Sequence, residues 1–178
     1  MNNLVRTLAL STIVLMATVM PAAAQRLELY GGYQYQHFNP KTGASCSMNG
    51  WSSGAQWTWS HIDRANVAVA VDFGGVYGKS AGVSLSHYTY LAGPRVTQNF
   101  GRYSLYAHTM IGNAQLSARM GVNSDSTSSF AYDFGGGTEI RLSRHWSVRP
   151  VQLDWLGTSH AHRSQNNLRY LSNVAWRF

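Results

Sequence analysis

Leu168-Arg169-Tyr170-Leu171-Ser172-Asn173-Val174-Ala175-Trp176-Arg177-Phe178 is the stretch on which the fold turns. Leu168, Tyr170, Val174, Trp176 and Phe178 share one parity, with Ser172 among them. Arg169, Leu171, Asn173, Ala175 and Arg177 occupy the other. A period of two is the signature of a β-strand with two unlike faces. Domain ends usually taper into frayed polar residues, and this strand pattern does not.

The same period recurs along the chain. Leu27–Gln36 places Glu28, Gln34 and Gln36 opposite mostly apolar or aromatic positions. Trp51, Ser53, Ala55, Trp57 and Trp59 alternate with Ser52, Gly54, Gln56, Thr58 and Ser60. Val67, Val69, Val71 and Phe73 alternate with Ala68, Ala70, Asp72 and Gly74. Further strands are expected near 87–97, 103–114 (with weaker alternation), 130–142 and 151–155, which makes eight with the last. Arg149 falls on the apolar parity of the seventh strand, and Pro150 cannot donate to a ladder, so a bulge is expected there.

The links between strands alternate in length. Asn39–Gly50, Gly78–Ser86, Leu116–Ser129 and Gly157–Gln165 read as long loops, and His61–Ala65, Gln98–Arg102 and Ser143–His145 as short turns. Such a meander is trimmed at one end and elaborated at the other.

A soluble β-sandwich also alternates, so the character of the faces has to decide. Five of the seven acidic residues, Glu28, Asp72, Asp133, Glu139 and Asp154, lie opposite the aromatic faces, as do Arg95, Arg141, Arg169 and Arg177. Solvent-facing strands of a sandwich would be rich in Lys, Glu and Thr. Here the non-aromatic faces are rich in Gly, Ala, Ser and Gln, which suits a narrow lumen holding a few large polar side chains. The apolar faces then point to lipid, and closure pairs every backbone group. The expected fold is a transmembrane eight-stranded antiparallel up-and-down β-barrel, with strands of about 9–11 residues crossing the hydrocarbon. Aromatic girdles are expected at the strand ends, from Trp51, Trp59, Tyr77, Tyr88, Tyr103, Trp146, Trp155 and Phe178.

The N-terminal residues agree with export. Arg6, the apolar run Leu8–Met20 and the A-x-A site at Ala22–Ala24 describe a signal peptide over residues 1–24, leaving 25–178 as the barrel. The run is too short for a membrane anchor. A formal charge of +7 invites a nucleic-acid reading. Export and the scattered placement of the arginines argue against it, so no nucleic-acid partner is expected. The single Cys46 excludes an internal disulfide and is read as a free thiol.

Three stretches carry a family resemblance: Tyr88–Thr97 (YTYLAGPRVT), Phe130–Leu156 (FAYDFGGGTEIRLSRHWSVRPVQLDWL) and Ser164–Phe178 (SQNNLRYLSNVAWRF). With its alternating final strand and terminal Phe, the chain resembles the small OmpA/OmpX-type eight-stranded barrels of Gram-negative bacteria. The resemblance implies an integral protein of the bacterial outer membrane with periplasmic turns and mobile surface loops. It also implies an assembly signal at Tyr170, Val174, Trp176 and Phe178, which the outer-membrane assembly machinery and periplasmic chaperones would engage. The chain stops at Phe178, so the appended peptidoglycan-binding domain of longer relatives is not expected.

An eight-stranded lumen is just wide enough to be filled by side chains. Glu28, Asp72, Asp133, Glu139 and Asp154 are expected to pair there with Arg95, Arg141, Arg169 and Arg177, as buried charges must. Such a network is a structural plug or, alternatively, a gate over a narrow pore. His160-Ala161-His162-Arg163-Ser164 is the one enzyme-like cluster. Lipid A deacylases of the outer membrane use a His and a Ser in this manner, with an acid to orient the His. Their His-x-Ser-Asn run reads here His162-Arg163-Ser164-Gln165, with no acid following. A solvated loop is the simpler reading, and no enzymatic activity is expected. His160 and His162 without a third ligand are a weak metal site, and neither metal nor cofactor is expected. Gly135-Gly136-Gly137 lacks the Lys-Ser/Thr of a phosphate loop and is read as a place where the wall bends or a bulky side chain passes close. The chain is expected to be a monomer, in contact with outer-membrane lipid and lipopolysaccharide. Lys41, Lys79, Arg119 and Arg163 are candidates for lipopolysaccharide phosphates.

Overall fold

The computed structural model describes residues 27–38, 46–80, 83–120, 123–160 and 163–178. Eight strands follow one another: β1 (Leu27–Phe38), β2 (Cys46–Ile62), β3 (Ala65–Ser80), β4 (Val83–Phe100), β5 (Tyr103–Met120), β6 (Asn123–Arg141), β7 (Trp146–His160) and β8 (Arg163–Arg177). Each pairs antiparallel with its neighbours in sequence, and β8 pairs with β1 to close the barrel. The seam runs from Glu28 opposite Arg177 to His37 opposite Leu168. Beyond it, the Phe178 N–H donates to the Leu27 carbonyl at 3.2 Å. Closure leaves no unpaired edge within the bilayer, which is the condition for crossing lipid with strands.

The two faces fall as the alternation predicts. Leu29, Trp57, Val69, Phe73, Tyr90, Phe134, Trp155 and Leu168 are exposed around the outside, while Glu28, Gln34, Asp72, Arg95, Asp133, Asp154 and Arg169 are buried within. An exterior of large apolar groups around a charged interior is a soluble protein turned inside out, stable only where the surroundings are lipid.

The strands are longer than the crossing requires, at 12 to 19 residues. Most of three of the four stretches read as long loops is strand, and Cys46–Gly50 of the fourth opens β2. Gly78–Ser80 continues β3 and Val83–Ser86 opens β4; Leu116–Met120 and Asn123–Ser129 lie in β5 and β6; Gly157–His160 and Arg163–Gln165 lie in β7 and β8. Their Ser-, Asn- and Gly-rich composition reads as loop chemistry because those residues favour turns. Once the register is set within the bilayer, however, the same ladder propagates into water, where polar side chains are welcome on both faces. The outer girdle accordingly lies part-way along the strands. Trp51 Nε1–H donates to the Tyr77 hydroxyl at 3.4 Å, and the Tyr77 and Tyr88 hydroxyls lie 3.2 Å apart. At the other end the turns are short, as expected. Asp63 and Gly101 take left-handed backbone (φ 51° and 71°) at the first position of two-residue turns, a conformation that Asp and Gly tolerate better than most residues.

The expected bulge in β7 is present. Thr138 pairs with Val151 and Ile140 with Val148 across β6, and the register against β8 shifts between Arg149 and Gln152. The extra residue changes the parity, so that Arg149 and Gln152 are both buried while Val151 faces outward. Without it, strict alternation from Gln152 would aim Arg149 at lipid.

Candidate functional site: the charged lumen

The lumen holds two charged clusters. The first sits towards the turn end. Arg149 bonds Glu28 with one Nη2 contact and Glu139 through Nε at 3.1 Å. Arg177 reaches the same two carboxylates at 2.6 and 3.2 Å. Gln56 Oε1 accepts from Arg149 at 3.1 Å and from Arg95 at 2.9 Å. Between the two guanidinium groups lie the rings of Tyr30 and Tyr106. Arg95 stands 5.2 and 4.7 Å from their centroids, and Arg149 stands 4.6 and 5.3 Å away. At these distances the ring faces attract both cations, the more strongly for being dry. Space for the tyrosines comes from opposite glycines: a Cβ on Gly137 would meet the Tyr106 hydroxyl at 2.7 Å, and one on Gly54 would collide with Tyr30.

The second cluster gathers three acids around one base. Arg169 Nη2 lies 2.9 Å from Asp154, 3.4 Å from Asp133 and 3.5 Å from Asp72. His108 Nε2 sits between Asp133 at 3.2 Å and Asp154 at 3.4 Å. These side chains are fully enclosed. Gln152 joins the clusters: it accepts from the Tyr106 hydroxyl at 2.8 Å and donates to Asp154 at 2.8 Å. Gly135 is the close approach expected in the triple-glycine run, since a Cβ there would overlap the Asp154 carboxylate. Atoms of His108, Asp133 and Asp154 lie within 4.8 Å of one another, close enough to share a small cation. The Arg169 guanidinium already occupies the side of this group that faces Asp72. Beside this cluster, Leu91 opposite Asp72, and Met110 and Leu156 opposite Asp133, pack with Ala70, Ala114 and Ala131; towards the outer end Met48 and Val76 form a second apolar group with Leu85 and Leu116.

Most of the expected network meets inside the barrel: Glu28, Asp72, Asp133, Glu139, Asp154 and Arg169 all pair there, and Arg177 joins from the mouth with 31% of its side chain exposed. Two expectations need correction. Arg141 is exposed and does not join the network. It is the last residue of β6, one inward position beyond Glu139, where the wall stops and the guanidinium reaches open water. Arg95 is inside but meets no carboxylate, and Gln56 and the two tyrosines hold it instead. Arg149, Tyr30, Tyr106 and His108 join the network without having been expected in it. The bulge conceals Arg149, and in β5 Tyr106 and His108 lie on the parity of Ser104 and Met110, buried with them. Of the terminal pattern, Val174 and Phe178 are exposed on the outside, and Tyr170 and Trp176 are half-buried. The Trp176 ring packs on Trp146 at 4.5 Å and on His145 at 5.3 Å. His162, Lys41 and residues 1–26 lie outside the described residues, as do the side chains of Cys46, His160, Arg163 and Ser164.

A closed eight-stranded barrel, apolar outside and ion-paired inside, defines an outer-membrane barrel protein. The chain belongs to the outer membrane protein beta-barrel domain family, which it matches over residues 8–178. No curated protein matches it in sequence. Its fold is similar to that of Neisserial surface protein A (TM-score 0.69, 11% identity, 85% of this chain and 97% of that one). It is also similar to Ail, the attachment invasion locus protein of Yersinia pestis (0.61, 11%, 85% and 97%), and to the outer membrane enzyme PagL (0.57, 14%, 85% and 99%). At these identities the likeness is one of fold.

Proposed function

We propose that this outer-membrane barrel is a sealed structural scaffold that acts at its outer surface, in envelope integrity or surface interaction. The carrying observation is the lumen. Arg95, Arg149 and Arg169 are completely enclosed, tied across strands β1, β2, β3, β6 and β7, with one apolar group packed beside the Arg169 cluster and another towards the outer end. Breaking buried pairs of this kind is costly, so the network favours a plug over a gate, and function falls to the exterior.

At the outer end, Lys79 of β3 and Arg119 of β5 are exposed on either side of β4, each opposite Ser84 in the ladder. Cations placed here are suited to lipopolysaccharide phosphates, because charged donors make the stronger hydrogen bonds to phosphate oxygens. The lipid-facing residues of β8, from Tyr170 to Phe178, are the segment for the assembly machinery and chaperones to engage. The scaffold is monomeric and catalyses no hydrolysis. Similarity to PagL concerns the fold, and His162→Ala and Ser164→Ala are expected to leave lipid A acylation unchanged, as measured by mass spectrometry of extracted lipid A. The central test is planar-bilayer recording of the refolded barrel. A sealed lumen gives no discrete conductance steps, and regular steps in wild-type protein would replace the plug with a pore.

A further inference from the structure

The turn end carries a cationic surface most of whose arginines are outside the ion pairs of the lumen. Arg102, Arg141, Leu142, Ser143, Arg144 and Arg177 line one open groove of about 450 Å³. Of the seven acidic residues in the chain, five are committed to the lumen. Asp125 lies in the outer part of β6, and Asp63 lies in the β2–β3 turn. Among the described residues, no ion pair joins Arg102, Arg141 or Arg144 to an acid. Arg177 is the only groove arginine that is partly neutralised, through Glu28 and Glu139.

The backbone around the groove is tied down. Arg141 N–H donates to the Arg102 carbonyl at 2.8 Å, which holds these two residues side by side. Ser143 Oγ accepts from the N–H groups of His145 and Trp146 at 3.3 and 3.1 Å, and Arg177 N–H donates to the His145 carbonyl at 2.8 Å. The rim is apolar: Leu142 is 58% exposed within the groove, with Tyr103 at 63% and Trp146 at 48% beside it. Arginine forks match phosphate oxygens. Aromatic side chains with apolar bodies and polar tips mark the interface between headgroups and acyl chains. Cations next to such a belt, at the end bearing the short turns, stand at the headgroup level of the periplasmic leaflet.

We infer that this groove binds the phosphate headgroup of an anionic phospholipid in the periplasmic leaflet. Arg102, Arg141 and Arg144 hold the phosphate, and the acyl chains descend past Leu142, Tyr103 and Trp146. A soluble anion would use the arginines but gain nothing from the apolar rim, and on that ground the lipid is favoured.

The test is native mass spectrometry of the folded barrel taken from vesicles of phosphatidylethanolamine and phosphatidylglycerol, counting retained phosphatidylglycerol. Wild type is compared with Arg102→Gln/Arg144→Gln and, as a charge control, Arg64→Gln in the β2–β3 turn. These residues are exposed in turns, and heat-modifiable gel mobility verifies folding. Each basic residue near an anionic membrane surface contributes a several-fold gain in affinity. The double variant is therefore expected to lose retained phosphatidylglycerol by roughly tenfold, with Arg64→Gln losing far less. Equal retention in the double variant would overturn the assignment, as would an equal loss in Arg64→Gln, which would show general charge attraction only. Displacement of the lipid by millimolar inorganic phosphate would equally overturn it, in favour of a soluble anion.

Discussion

The two charged clusters of the lumen are built from opposite surpluses. Around Tyr30 and Tyr106, three arginines (Arg95, Arg149 and Arg177) face two carboxylates, Glu28 and Glu139. Around Arg169, three carboxylates face one arginine and a histidine. Surplus cation is easily dispersed, because aromatic faces and amide oxygens accept it, and Arg95 is held in that way alone. Surplus anion needs donors, and beside Arg169 these are His108, Gln152 and the Tyr30 hydroxyl. The second cluster is centred on Arg169, the one arginine that reaches all three carboxylates, whereas the first distributes its charge over several.

That contrast can be broken most forcibly at Arg169. In Arg169→Met, Asp72, Asp133 and Asp154 lose their common partner. The expected destabilisation is about 3–5 kcal/mol in urea unfolding from lipid vesicles, since an uncompensated buried charge is left behind. A cost equal to that of the corresponding change in the first cluster would show that the clusters do not differ. Arg149→Met is the next step down. Arg177 still reaches both glutamates, so the expected loss is about 2–3 kcal/mol, the scale of a charged hydrogen bond.

Arg95→Met removes one bond to Gln56 and two ring contacts without stranding a carboxylate, and about 1–2 kcal/mol is expected from the same unfolding curves. Arg141→Gln sharpens the boundary of the network. An exposed arginine at the mouth is expected to change stability by less than about 0.5 kcal/mol. A loss comparable to that of Arg149→Met would mean that Arg141 enters the lumen after all.

Much of the fold could be read in advance because a barrel wall repeats a single rule. With lipid on one side and a narrow lumen on the other, every strand must alternate, and the sign of the alternation separates Phe73 from Asp72 and Leu168 from Arg169 without any knowledge of neighbours. The same rule failed where a strand breaks step. One extra residue in β7 inverts the parity at Arg149, and only the pairing registers with β6 and β8 reveal it. It also failed outside the bilayer. There neither face is selected by burial, so Ser- and Asn-rich strand is indistinguishable from loop in composition.

The sequence by itself determined the number of strands, the faces of every regularly alternating stretch, and the five carboxylates that had to be neutralised inside. Which charge meets which was a tertiary matter. Glu28 and Arg149 are 121 residues apart, and Asp72 and Arg169 are 97 apart. Their meeting depends on closure at the β1–β8 seam and on the tilt and register of every strand between. The tertiary structure also decided that Arg141 belongs to a surface groove. Alternation specifies a direction across the wall, but only the height at which the wall ends specifies whether that direction leads into the lumen or out of its mouth.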